Sequence, residues 1–389
     1  MRIFLSCQQA VRRHDVPAYS FWANYFKNGL VEAGHEWLEA PGVDWAEGLN
    51  AFSPEARRQW LEKTWTQTVA FLRAEHARRP IDLFLSYLFP YQVEPGAVRA
   101  IRDLGIPCVN FFCDNVRELT HMPEAYGAFD LHWVPEAEAR PLYTAAKFAF
   151  VYAPMPAWVP PKFRTVPESE NNDTVFIGSH DPLRDELLGQ AVARGLPLRV
   201  HGDGWLPGTA PASAPPQTLA KKLANQMEFW REHGLRGFAM RATYRWRPGR
   251  SNDWHAPHCR PSISGEAYLL VTRESQIVIG INRYPSFRHS FQRPHRYSRL
   301  RDIEAPMLGA CYLTEWAPGL EDLYEPGVEI ETYRDATELV EKAEQLRRDP
   351  ARRRLLRTRG QRRALGTHTI GRSLGLIQHA LGLGRRSAE

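Results

Sequence analysis

The stretch Arg301-Asp302-Ile303-Glu304-Ala305-Pro306-Met307-Leu308-Gly309-Ala310-Cys311-Tyr312-Leu313-Thr314-Glu315, continued by Gly319-Leu320-Glu321-Asp322-Leu323-Tyr324-Glu325-Pro326-Gly327, decides the fold. It reads as a helix from Leu300 to Leu308 that stops near Gly309, followed by a short apolar strand from Cys311 to Glu315. Glu304 lies near the helix start, three residues after Arg301 and five before Gly309. A carboxylate there is placed to accept two neighbouring hydroxyls at once.

Working outward, the same alternation of apolar strand and amphipathic helix fills the chain. The N-terminal part predicts strand 2–6, helix 18–33 ending at Gly34, helix 54–77, strand 81–86, helix 95–104, strand 107–112 and strand 130–134. After a break the pattern restarts with strand 174–179, helix 183–194, strand 198–202, helix 266–274 and strand 276–282. Apolar runs of strand length alternating with helices imply parallel sheets covered on both faces. The expectation is an α/β protein of two Rossmann-like domains facing a central cleft.

The break, 153–172, is rich in proline and ends in Glu168-Ser169-Glu170-Asn171-Asn172, the composition of an interdomain linker. The expected layout is an N-terminal domain 1–155, a linker 156–172, a C-terminal domain 173–370 with an insertion at 206–262, and a C-terminal helix and tail 371–389. Inside the insertion, Arg241 to Arg250 alternates cations and aromatics, a pattern suited to gripping bases or sugars or to packing inward.

At 389 residues and 43% hydrophobic, the chain is long and apolar enough to bury two cores. No apolar run is long enough to span a bilayer, and Met1-Arg2-Ile3-Phe4-Leu5 turns polar at Ser6, which is not a leader sequence. The cytoplasm is therefore the default location. Cys7, Cys108, Cys113, Cys259 and Cys311 are scattered without a CxxC pair, which argues against a disulfide framework or a thiolate zinc site. Nine of the arginines fall between Arg347 and Arg363, so the net charge of +6 is a patch and not a global property. Such a patch reads first as a solvated helix face, and it can also hold phosphates, an anionic membrane surface or nucleic acid.

In an open α/β sheet the ligand lies beyond the carboxyl ends of the strands. Gly178-Ser179 follows one strand and lets the backbone approach a diphosphate, with Arg184 to balance its charge. Gly202-Asp203-Gly204-Trp205 follows the next, with Trp205 able to cover a base. Glu266, Asn282, Arg283, Tyr284 and Arg288 lie around the ends of the penultimate helix and strand. Trp254-His255-Ala256-Pro257-His258-Cys259 gathers imidazoles and a thiol but lacks the usual metal-ligand spacing, and no metal is expected.

From about Gln276 to Ile377 the chain resembles the C-terminal half of the spore-maturation-protein-like (CgeB-like) glycosyltransferases of GT-B fold. The resemblance is carried by Ile279-Gly280-Ile281-Asn282, Arg301-x-x-Glu304-Ala305, Gly309, Leu313-Thr314, Gly319-Leu320-Glu321, Glu325-Pro326-Gly327, Tyr333-Arg334-Asp335, Glu338-Leu339, Asp349-Pro350, Gly360 and His368-Thr369. Weaker echoes are Gly34-His35-Glu36, Phe129 to Trp133 and Phe176 to Ser179 with Arg184. The resemblance implies a nucleotide-sugar donor as substrate on the C-terminal half, with Glu304 on the ribose and Arg301 and Arg184 on the phosphates. It implies neither a cofactor nor a metal. Many retaining relatives carry a glutamate eight residues before the ribose-binding one, and this chain has Arg296 there.

An inverting enzyme needs a base for the acceptor hydroxyl. Asp114, after the strand 107–112, and His14, followed by Asp15 in the loop after the first strand, are the candidates, with Asp114 able to support His14. The acceptor expected is a sugar, glycan or lipid-linked hydroxyl, and the arginine patch allows peripheral contact with an anionic membrane; nucleic acid is not the expected partner. A nucleotide-sugar epimerase on the same fold and a nucleic-acid-binding protein are the alternative readings.

Overall fold

The computed structural model describes residues 1–383 apart from 13, 15–17, 51–52, 287–288, 290, 292 and most of 207–251, where only 227, 234–235, 237 and 239 are described. Asp15, Arg288 and the cation-aromatic run 241–250 therefore lie outside the described residues. The chain divides into two units, 1–159 with 365–389, and 160–364.

The first unit is built on six parallel strands: β1 Arg2–Ser6, β2 Glu36–Leu38, β3 Leu83–Tyr87, β4 Cys108–Phe111, β5 Leu131–Val134 and β6 Phe150–Tyr152. Their order is β2-β1-β3-β4-β5-β6. Ile3, Phe4, Leu83, Phe84, Leu85, Val109 and Phe111 are all buried, as strands covered on both faces require. Helices start and stop on local signals. Ser53 accepts a hydrogen bond from the Ala56 N–H and Pro54 opens helix Pro54–Arg78, a cap that stabilises by about 1 kcal/mol. Helix Ala18–Glu32 gives way to Gly34 at φ +76°, a left-handed position that glycine fills without strain.

The last helix, Ile370–Ala380, packs on helix Ala18–Glu32 and near β6. The approach is so close that a Cβ on Gly29 would lie 2.3 Å from Ile370 Cδ1. The C-terminal segment is thus part of the first unit, where the sequence had suggested a tail beyond the second.

The second unit carries β7 Thr174–Ile177, β8 Leu198–His201, β9 Cys259–Arg260, β10 Ile277–Gly280, β11 Tyr312–Glu315 and β12 Glu331–Tyr333, all parallel. The order β12-β11-β10-β7-β8-β9 is, counted within the unit, the 3-2-1-4-5-6 arrangement of dinucleotide-binding folds. Its core joins Phe176, Leu188, Val200, Ile279, Leu313 and Leu339. Asp181 caps helix Pro182–Ala193 and Asp335 caps helix Ala336–Arg348, each through two backbone N–H groups.

The proline-rich run behaves differently from a free linker. Residues from 160 onward belong to the second unit, Phe163 is buried, and Glu170 pairs with Arg353 and Arg357. The arginine patch is correspondingly less solvated than its sequence suggests. It lies mainly on helix Pro350–Thr367, in which Arg353 is 5% exposed and Arg357 2%. Arg357 donates to the carbonyls of Arg273, Gly309 and Ser275, Arg354 to Pro167 and Arg363 to Leu323. These guanidiniums tie strand ends and the 160–172 segment to the helix. Arg347, Arg348, Arg354 and Arg362 remain exposed.

Candidate active site

In the second sheet the chain runs β7-β8-β9 to one side and β10-β11-β12 to the other, so β7 and β10 flank the point where strand order reverses. Ligands of such sheets sit outside the carboxyl ends at that point. The two loops that follow are Gly178-Ser179 and Ile281-Asn282-Arg283.

Gly178 and Gly202 are needed for packing. A Cβ on Gly202 would stand 2.0 Å from the Gly178 carbonyl oxygen, and one on Gly178 would stand 2.8 Å from the Phe176 ring. The Gly178 carbonyl also accepts the Trp205 indole N–H at 2.7 Å. Trp205 is 2% exposed, edge-on to Phe176 and His180. Its ring is enclosed by protein on the faces a base would need, so the structure gives it a supporting position under the loop.

Arg184 reaches back from helix Pro182–Ala193 to the Ser179 carbonyl and hydroxyl at 2.8 and 3.2 Å, and pairs with Asp181 at 3.0 Å. Its guanidinium is pushed down to about 10, first by burial and then by the positive charges of Arg299 and Arg301. Asp181 offsets this only in part. Three guanidiniums thus bear on one another near the carboxyl ends of β7 and β10: Arg184 and Arg301 on the first turns of the helices that follow, and Arg299 at the residue just before the second of these helices.

Arg301 and Glu304 lie on helix Leu300–Met307. Glu304 is 4% exposed and accepts a hydrogen bond from the Tyr268 hydroxyl, while the Arg301 guanidinium lies 5.0 Å over the Tyr268 ring. Burial chiefly, and the Glu304 charge in addition, raise the Tyr268 phenol well above its usual range. Tyr268 therefore stays a donor at any ordinary pH and orients the carboxylate. Beneath them Asp302, fully buried, collects Ser298, Tyr312 and Thr314 hydroxyls and the Arg299 N–H, fixing the helix start on β11.

Asn282 and Arg283 turn toward Glu315 at the end of β11. The Asn282 amide donates to the Glu315 carbonyl at 2.8 Å, and Arg283 Nη2 to the carboxylate at 2.6 Å. Arg296 binds the same oxygen at 2.5 Å. The segment after β10 folds on itself, with Arg283 bridged antiparallel to Arg296 and the Tyr284 N–H bonded to the His295 carbonyl at 3.3 Å. Glu266, by contrast, is exposed and pairs with Lys162.

In the first unit, His14 is 9% exposed and its partner is Asp44: Nε2 lies 2.9 and 2.8 Å from the two carboxylate oxygens. Asn50 approaches Nδ1 at 3.3 Å. Both ring nitrogens are engaged, Nε2 by Asp44 and Nδ1 by Asn50. Asp114 precedes the short helix Asn115–Glu118 at the end of β4. Near it is Glu136, 1% exposed, whose Oε2 accepts the Val116 N–H at 3.4 Å. Burial first and the Asp114 charge second hold the Glu136 carboxyl well above the usual carboxylate range.

Arg299, Tyr268, Glu315, Asp44 and Glu136 were not anticipated. Glu315 ends an apolar strand and Arg299 directly precedes a helix, positional signals that were available. Nothing in the sequence links Tyr268 to Glu304 across 36 residues.

Residues 184–377 match the model of the family described as glycosyl transferase-like. No curated protein matches the chain by sequence. The fold is similar to that of sucrose-phosphate synthase from Thermosynechococcus elongatus (13% identity, TM-score 0.57, covering 99% of each chain). It is also similar to a glycosyltransferase from Rickettsia africae (8% identity, TM-score 0.53, 99% of each chain) and to Anabaena HepE in complex with UDP-glucose (12% identity, TM-score 0.51, 99% of this chain and 100% of that one). Two parallel-sheet Rossmann-like units with this match define the GT-B class. The protein is a glycosyltransferase of GT-B fold. Among the described residues no helix is long and apolar enough to cross a membrane.

Proposed function

We propose that the protein transfers a sugar from a nucleoside diphosphate sugar to an acceptor hydroxyl, with the donor held by the second unit. The observation that supports this best is the gathering of Arg184, Arg299 and Arg301, in which burial first and the charges of the other two second push the Arg184 guanidinium down. A bound dianion relieves that repulsion, and guanidiniums match phosphate oxygens in geometry as well as charge. Gly178 and Ser179 bring backbone close to the same place, and Glu304, oriented by Tyr268, accepts the ribose hydroxyls. With cations of the protein offsetting the diphosphate, transfer needs no divalent ion on it. The motif order from Gln276 to Ile377 supports a CgeB-like member of the class.

On the acceptor side Asp114 is the base, since His14 has both nitrogens occupied. The acceptor is a sugar, glycan or lipid-linked hydroxyl. The nucleic-acid reading loses its ground because much of the arginine patch is committed to carbonyls and to Glu170. An epimerase would release an isomerised donor without acceptor, which product analysis separates from transfer.

Calorimetry tests the phosphate assignment. UDP is the first probe, because HepE was solved with UDP-glucose. Arg184→Ala and Arg301→Ala should each weaken UDP binding by about tenfold or more, as expected for a lost charge-assisted contact, and leave uridine binding unchanged. Equal loss for uridine, or no loss for UDP, would remove the cluster from the donor site.

A further inference from the structure

Three side chains beside the Gly178-Ser179 loop converge on one point. His180 follows Ser179 in the loop after β7, Asp185 lies in the first turn of helix Pro182–Ala193, and His255 opens the short helix His255–His258. One nitrogen or oxygen from each lies within 4.8 Å of the others. His255 Nε2 is 2.7 Å from Asp185 Oδ1, and His180 Nε2 is 3.7 Å from Asp185 Oδ2. The side chains of His255, Asp185 and His180 are 8%, 22% and 31% exposed, so the cluster is largely enclosed yet still reached by solvent.

The imidazoles are held from behind. Trp205 stands edge-on to His180 at 4.8 Å and to His255 at 5.5 Å, and Trp254 lies 4.5 Å from His255. Both rings turn Nε2 to the same carboxylate. Two imidazoles, one carboxylate and an open fourth position make up the donor set of a tetrahedral late-transition-metal site. Bonds of about 2.0–2.2 Å to such an ion place neighbouring ligand atoms about 3.3–3.6 Å apart. The His180–Asp185 spacing, to Oδ2, is already close to that; His255 sits on Oδ1, so the carboxylate turns to present one oxygen to the ion and the His255–Asp185 pair opens by about 1 Å or less. Magnesium and calcium prefer all-oxygen shells and fit this set poorly.

We propose that His180, Asp185 and His255 bind one zinc-type divalent cation, which fastens the short helix His255–His258 to the loop after β7. The ion takes the place of the hydrogen bond between His255 and Asp185, and water completes its shell. Its role is to brace the fold around Trp205, and it takes no part in the transfer step. The inference stands on this geometry and is independent of the donor assignment.

The experiment uses the full chain stripped of metal. Titration with Zn2+ should show one tight equivalent per chain and a rise in the thermal unfolding midpoint, and Co2+ should give the intense visible absorption of a tetrahedral centre. His180→Gln and His255→Gln should each weaken Zn2+ binding by about 100-fold or more, since even an outer-shell loss costs about 10–100-fold. His258→Gln, next to the cluster but bonded through Nδ1 to the Leu198 carbonyl, should leave the affinity unchanged. Absence of a stoichiometric site in the unaltered chain, or binding indifferent to both His180→Gln and His255→Gln, would overturn the proposal. The cobalt spectrum of the unaltered protein decides the matter even if a variant fails to fold.

Discussion

Arg283 and Arg296 close on one oxygen of Glu315, at 2.6 and 2.5 Å, and Glu315 is wholly buried. Two cations sharing a single enclosed anion leave no spare charge to absorb its loss. Glu315→Gln should therefore destabilise the protein by about 3–5 kcal/mol, the cost of leaving partners of a buried pair uncompensated. Arg296→Met in that background should recover part of it. Urea denaturation measures both, and a loss below about 1 kcal/mol, the level of a surface pair, would show that the cluster is solvated.

Glu304→Ala should cut UDP affinity by about tenfold or more, in line with a pair of charged hydrogen bonds. With 2′,3′-dideoxy-UDP the same variant should bind as the unaltered protein does. If the difference persists with the dideoxy nucleotide, Glu304 acts on something other than the ribose.

Asp114→Asn should lower single-turnover transfer roughly 100-fold for want of a general base, with UDP affinity unchanged. Full turnover in this variant would end the assignment. An inverted anomeric centre, read by NMR on the product, is the stereochemistry a single-step displacement with Asp114 as base requires.

The carboxyl of Glu136 titrates above its unfolded value of 4.5 because burial, and then Asp114, disfavour its charge. The folded state therefore binds a proton that the unfolded state releases. The stabilisation is fully present below pH 4.5 and declines as pH rises toward the folded pKa, at up to about 1.4 kcal/mol per pH unit. Glu136→Gln should flatten that decline, so the variant gains on the unaltered protein as pH rises above the unfolded value of 4.5. Parallel stability curves would mean Glu136 is ionised in the fold.

Arg357→Ala should destabilise by about 3–5 kcal/mol, because it leaves Glu170 without one partner and strips buried carbonyls of their donor. Arg362→Ala, on an exposed position of the same helix, should change stability by less than about 0.5 kcal/mol. Thermal or chemical denaturation separates the two.

The long central strands were legible because burial on both faces leaves an unbroken apolar run, as in Leu83 to Tyr87 or Ile277 to Gly280. The strands that escaped, Glu36–Leu38, Phe150–Tyr152, Cys259–Arg260 and Glu331–Tyr333, are the four sheet edges. At two or three residues with mixed burial, they carry no period to detect. Charged residues were legible in position but not in allegiance. Arg283 and Arg357 have the composition of ligand-binding residues, yet their carboxylate and carbonyl partners come from 32 to 187 residues away. Pairing of that kind depends on three-dimensional closure. Arg184 and Glu304 were legible in place, since they lie on the helices that follow β7 and β10 in the chain.

The return of helix Ile370–Ala380 to helix Ala18–Glu32 sets an order of events during synthesis. Every residue of the second unit leaves the ribosome before the first unit receives its final helix. The half begun first is therefore finished last, and until then its Gly29 and Ala33 face lies uncovered. A chain cut short after residue 364 would carry a complete second unit and an incomplete first one, the reverse of the usual N-to-C sequence of domain folding.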